Sequence, residues 1–173
     1  MSEVKVEFSL KGKNIIVTGA TGILGKDFCR ALASQGAQVV VVDLDQENCD
    51  SFAAELKETY SVEALACACD ISDPSQVQAL VSQVESRFGD IHCLHNNAAT
   101  KTESLDNFLE SFEEYKVEAW RQIMSVNIDA MFLLCQAVGK HMIERGIKGS
   151  IIQTSSIYGG AIMPDQRIYE GSQ

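Results

Sequence analysis

The sequence predicts an α/β protein built on a doubly wound parallel sheet with helices on both faces. Three observations predict it. From Asn14 onward, short apolar runs alternate with amphipathic runs of about 12 residues, the rhythm of strands joined by crossover helices. The first junction, NIIVTGATGILG, places Gly19, Gly22 and Gly25 at three-residue spacing between an apolar run and an amphipathic one. Polar residues then fall where successive strands end, at Thr18, Asp43, Asp70 and Asn96-Asn97. Sheets of this class bind ligands at the carboxyl ends of their strands, so these positions should meet at one rim.

Residues 1–13 read as a polar lead-in, and Ile15-Ile16-Val17 as a buried strand. The helix that follows runs from Ile23 to Ser34. Gly19 permits the tight turn, Gly22 lets backbone N–H groups approach a pyrophosphate, and Gly25 lets helix pack closely on strand. The helix N-terminus adds roughly half a positive charge. A tight connection can want glycines for its own sake, and the spacing departs from Gly-x-Gly-x-x-Gly. The second strand, Val39 to Val42, supplies the stronger argument. It ends on Asp43, 18 residues beyond Gly25, close to the roughly 20-residue offset at which an acid meets an adenosine ribose.

Gln46 to Thr59 is a helix with an apolar stripe at Phe52, Ala53 and Leu56, and Val62 to Cys69 a third strand closed by Asp70. Asp73 caps the next helix and Pro74 takes its first position. Its stripe of Val77, Leu80, Val81, Val84 and Phe88 stops at Gly89. Ile91 to Leu94 opens a fourth strand running into Asn96-Asn97-Ala98-Ala99. Thr100 to Lys116, polar and acidic, reads as an insertion over the site. A long helix is predicted from Val117 to Arg145. Between Val126 and Cys135 it is apolar nearly all round, which predicts burial on more than one side. Asn127 sits in that stretch, where an unsatisfied amide would cost about 1–3 kcal/mol, so it needs partners. Gly149 to Thr154 is a fifth strand, ending at Ser155-Ser156 on the same sheet edge.

The 173-residue chain fits one domain, with 46% hydrophobic and 22% charged residues. Its formal net charge of −10 argues against nucleic acid or an anionic membrane as partner. No apolar run of membrane-spanning length is read, and MSEVKVEFSL lacks the basic start and apolar middle of a signal peptide. A cytoplasmic protein is the expectation. Of the six cysteines, Cys67 and Cys69 share one strand face, but without a second pair or a histidine at ligand spacing no metal is expected. The even count does not argue for disulfides in such a compartment.

With Thr18-Gly19, Asp43, Asp70, Asn96-Asn97-Ala98, Asn127 and Ser155-Ser156 in this order, the stretch from Gly12 to Tyr158 resembles the short-chain dehydrogenases/reductases. The resemblance implies a Rossmann fold, NAD as cofactor, and hydride transfer between the nicotinamide and a secondary alcohol or ketone, with sugars and polyols among the candidates. It implies that the turn carrying Gly19, Thr21, Gly22, Leu24 and Gly25 holds the pyrophosphate. Asp43 would accept from both ribose hydroxyls and repel the 2′-phosphate of NADP, and no arginine follows it to compensate. Asp70 and Ile71 would flank the adenine, while Asn97 and Ala98 would touch the nicotinamide-side ribose. Ser156 would orient the substrate and Asn127 would hold a water in a proton relay.

Two departures stand out. The glycine spacing TGATGILG is commoner in the longer, sugar-nucleotide members, while Asn-Asn-Ala belongs to the shorter ones. The family's Tyr-x-x-x-Lys is missing: Tyr169 lies 13 residues after Ser156, but Gln173 stands where the lysine belongs. SSIYG followed by RIYEG resembles a subgroup of sugar or surface-polysaccharide metabolism in which an inserted loop moves the tyrosine further along, so Tyr169 reads as a loop residue. Residues 1–173 are then a single NAD-binding domain truncated before the Tyr-x-x-x-Lys helix. The fragment is expected to lack turnover, and the full-length enzyme to be a homodimer or homotetramer acting on a small molecule. The alternative reading is a catalytically inactive dinucleotide-binding module serving regulation or assembly.

Overall fold

A computed structural model describes residues 9–101 and 111–156. The elements run β1 (Asn14–Thr18), α1 (Ile23–Ser34), β2 (Gln38–Asp43), α2 (Gln46–Tyr60), β3 (Ala64–Ala68), α3 (Pro74–Phe88) and β4 (Cys93–Asn96). There follow α4 (Val117–Met124), a π-helical turn (Ser125–Asp129), α5 (Ala130–Glu144) and β5 (Ser150–Gln153). Tyr169 and part of the expected insertion, residues 102–110, lie outside the described residues.

The five strands form one sheet in the order β3-β2-β1-β4-β5, every pairing parallel. This is the doubly wound architecture expected. Alternation along the strands feeds two cores. Ile15, Val17, Val39 and Val41 pack with Cys29 and Ala33 of α1 and with Phe52 and Leu56 of α2. Ile16, Val40, Val42 and Leu94 face the other way, onto Val77, Leu80 and Val84 of α3 and Leu134 and Val138 of α5. Val39 to Val42 are all fully buried, which explains why β2 reads as an unbroken apolar run.

Local chemistry sets the helix ends. Asp45 accepts from the Asn48 N–H at 2.7 Å to cap α2. Asp73 accepts from the Ser75 N–H at 2.7 Å to cap α3, with Pro74 at its first position. Gly89 ends α3 at φ +80°. Helix α1 differs, because its N-cap is Gly22 and no side chain caps it.

The long helix departs from expectation in two ways. It is broken by the π-helical turn, which lies between α4 and α5. Its burial is one-sided: Leu134 and Val138 are fully buried, but Ile128 is 57% and Phe132 64% exposed. Nothing among the described residues covers that outer face, so apolar composition all round does not produce burial all round. The same composition gives Val117–Glu144, 28 residues, an 18-residue stretch of mean hydropathy 1.2, long and apolar enough to span a bilayer by length and composition alone. The expectation that no run reaches membrane-spanning length is corrected here, by length and composition alone. In the fold the inner face of this helix belongs to the sheet core. Strand β5 pairs with β4, yet all four of its residues are exposed.

Candidate functional site

The tips of β1 and β4 are tied together by side chain and backbone. The Thr18 hydroxyl accepts from the N–H groups of Asn97 and Ala98, both at 3.1 Å. The Asn97 amide donates back to the carbonyls of Thr18 at 3.0 Å and Gly19 at 3.2 Å. These bonds draw the glycine turn against the loop after β4. Gly19 has φ +62°, and a Cβ there would come within 2.9 Å of the Ala98 Cα. At Gly25 a Cβ would run into the Gly19 carbonyl oxygen and come within 2.8 Å of the Ala20 Cα. Gly22 is less constrained, its nearest conflict being the Gly19 oxygen at 3.2 Å. The expected division of labour therefore holds in geometry for Gly19 and Gly25, which permit turn and close packing.

A cleft of about 640 Å³ opens at this rim, within the size range of small-molecule and cofactor sites. Gly19, Gly22, Leu24, Gly25, Asp43, Asp70, Ile71, Asn97 and Ala98 all line it. No side chain caps the N-terminus of α1, whose first residues line this cleft, an arrangement that suits an anion. Asp43 is fixed by three donors. Its Oδ2 accepts from the Thr21 N–H at 2.9 Å and the Thr21 hydroxyl at 2.6 Å, and its Oδ1 from the Leu44 N–H at 2.9 Å. Asp70 closes a local turn, its Oδ1 accepting from the Ser72 N–H at 2.9 Å and hydroxyl at 2.6 Å. Ile71 lies beside it, 7% exposed.

Three expected residues stand outside the lining. Thr21 acts on Asp43 and faces a smaller hollow between α1 and α2. Asn127, in the π-helical turn, is half-buried and satisfied: its Oδ1 accepts from the Thr100 N–H at 2.7 Å and its Nδ2 donates to the Thr100 carbonyl at 3.1 Å. The amide thereby clips the loop after β4 onto the long helix. Ser156 is exposed beyond β5, whose end is held to β4 by the Thr154 N–H donating to the Asn96 carbonyl at 2.9 Å.

Some lining residues were not foreseen. Ser125 and Val126, in the π-helical turn, line the cleft, and such turns are often found at functional sites. Leu44, 72% exposed at the β2 tip, also lines it. An apolar residue directly after a strand-end acid was a readable signal for that position. Cys69 borders the cleft too, but burial pushes its thiol up to about 11, so it stays protonated and poorly nucleophilic at neutral pH. Burial raises Cys29 and Cys67 further, to about 12. Burial also holds His95 below the ordinary imidazole range, its Nε2 lying 2.9 Å from the Thr154 hydroxyl.

Strand order 3-2-1-4-5 with a glycine turn at the point where the order reverses defines a doubly wound α/β protein with a ligand cleft at its topological switch point. The short chain dehydrogenase family model matches residues 13–173, and the chain belongs to that family. It is 35% identical to a D-threitol dehydrogenase of Mycolicibacterium smegmatis over 153 residues, 88% of this chain and 56% of that protein. It is 31% identical to a 5-keto-D-gluconate 5-reductase of Escherichia coli over 150 residues, 87% of this chain and 56% of that one. Among solved structures, an NAD+-bound xylitol dehydrogenase superposes with a TM-score of 0.83 at 27% identity, covering 94% of this chain and 60% of that one. The chain thus spans somewhat over half the length of the relatives it matches.

Proposed function

We propose that this chain is the cofactor-binding domain of an NAD-dependent oxidoreductase that interconverts a secondary alcohol and a ketone on a sugar, polyol or sugar acid. The observation that carries the reading is the presence, in one cleft, of an uncapped helix N-terminus and an acid at the adjacent strand tip. The residues fit a dinucleotide: the glycine turn and an α1 N-terminus free of any side-chain cap border the cleft together with Asp43. First-turn N–H groups of α1, next to Gly22 and Leu24, would hold the pyrophosphate. Asp43 would take the adenosine ribose, Asp70 and Ile71 the adenine side, and Asn97 and Ala98 the other ribose. When bound, the nicotinamide supplies the hydride acceptor or donor.

The remaining work falls to side chains of this chain. Asn127 holds the loop at Thr100 in place beside the cleft and serves the proton relay, and Ser156 orients the substrate oxygen. The carboxylate of Asp43 disfavours a 2′-phosphate by like charge, which selects NAD over NADP. Relatives that act on threitol, xylitol and ketogluconate support the substrate class. Six free cysteines, with Cys29, Cys49, Cys67 and Cys69 buried, support a reducing, cytoplasmic setting. The working enzyme is proposed to be a homodimer or homotetramer.

The test is a steady-state assay of the full protein with NAD+ and a panel of tetritols, pentitols and gluconate, reading NADH formation. Turnover with at least one of them, much faster with NAD+ than with NADP+, is the expected result. NADH binding without turnover on any alcohol or ketone would instead establish an inactive dinucleotide-binding module.

A further inference from the structure

Asp43 has fewer acceptor positions to offer a ligand than a carboxylate at a strand tip suggests. Each carboxylate oxygen accepts about two hydrogen bonds. Oδ2 receives both from Thr21, one from the backbone N–H at 2.9 Å and one from the hydroxyl at 2.6 Å. The second is in the range of a strong charge-assisted O–H···O⁻ bond. Oδ1 receives one from the Leu44 N–H at 2.9 Å, which leaves it a single position. We propose that Thr21 limits Asp43 to one hydroxyl of the adenosine ribose, accepted at Oδ1, instead of the two-hydroxyl grip that the resemblance implies.

Thr21 does this without touching the ligand. It lies outside the cleft lining and faces the hollow bordered by Lys26, Asn48, Ser51, Phe52 and Glu55. It is therefore a positioning residue, and it acts in two ways. Its hydroxyl and N–H together fix the carboxylate against the glycine turn, so Oδ1 is presented in one orientation. Its hydroxyl also competes with a ribose hydroxyl for Oδ2, and wins because it is held in place while the ligand must give up water to replace it. Removing the hydroxyl but keeping the backbone N–H opens one position on Oδ2, and the acid can then read both ribose hydroxyls.

The proposal rests on the reading of the cleft as an NAD site, and the test separates the two. NADH and its 2′-deoxy and 3′-deoxy adenosine analogues are titrated, by the fluorescence of the reduced nicotinamide, against the full protein and the variants Thr21→Val, Thr21→Ala, Thr21→Ser and Asp43→Ala. In the parent, one deoxy analogue should bind about tenfold more weakly than NADH and the other within about twofold. In Thr21→Val and Thr21→Ala the second analogue should also become penalised, by about fivefold or more. Thr21→Ser, which keeps the hydroxyl, should restore the parent pattern. Equal penalties for both analogues in the parent would overturn the proposal, as would a pattern unchanged in both hydroxyl-free variants. Thr21→Ala keeps the test open where valine crowds the turn. If Asp43→Ala binds NADH as tightly as the parent, the reading of the cleft itself falls and the proposal falls with it.

Discussion

Gly25→Ala is expected to lower stability by about 2–3 kcal/mol and to abolish tight dinucleotide binding. The added Cβ meets two fixed backbone groups, the Gly19 carbonyl oxygen and the Ala20 Cα, and neither can rotate away as a side chain could. Relief requires α1 to move off β1, which breaks the contact of Cys29 and Ala33 with the strand core. Alanine's better helix propensity returns at most about 1 kcal/mol. For a chain of this size the net loss corresponds to a fall in Tm of about 5–10 °C, measured by calorimetry or circular dichroism. Gly139→Ala is the matched control. A Cβ there meets nothing within 4 Å on helix α5, so the same substitution should stabilise by about 0.5–1 kcal/mol. A Gly25 variant as stable as the parent would mean that close helix–strand packing is not what this glycine provides.

Asp43→Ala is expected to weaken NADH by about 10- to 100-fold, the value of one hydrogen bond to a charged group. Two losses combine. The acceptor for the ribose hydroxyl disappears, and the Thr21 hydroxyl and the Leu44 N–H lose the partner that orders the turn. NADPH should move the other way, gaining relative to NADH, because the negative charge opposing a 2′-phosphate is gone. Isothermal titration with both nucleotides reads the ratio directly. A uniform loss for both would make Asp43 a structural clamp, not a selector.

Much of this site can be read along the chain, because it depends on where strands end. Thr18, Asp43, Asp70 and Asn97 stand one residue from a change of pattern, and parallel pairing then brings them to one edge without further information. The glycines were legible for a similar reason, since only a residue lacking Cβ fits where Gly19 nears Ala98. What remained hidden depends on contacts between distant segments. The two hydrogen bonds from Thr21 to Asp43 span 22 positions and leave no periodic trace. The clip between Asn127 and Thr100 spans 27, and the π-helical turn that carries it follows a helical pattern indistinguishable from an α-helix. Ile128 and Phe132 show the limit of hydropathy: an apolar helix face says that something suits it, not that these residues cover it.

The central claim is that one rim, formed by the tips of β1, β2, β3 and β4, holds an adenine dinucleotide. Amide chemical-shift mapping of the isotope-labelled protein during titration with NADH tests it most directly. The account predicts that perturbations concentrate at Gly19–Gly25, Asp43–Leu44, Asp70–Ser72 and Asn97–Thr100, with the opposite edge around His92 and Arg145 unmoved. Perturbations centred on the hollow between α1 and α2, or on the exposed outer face of α5, would contradict it.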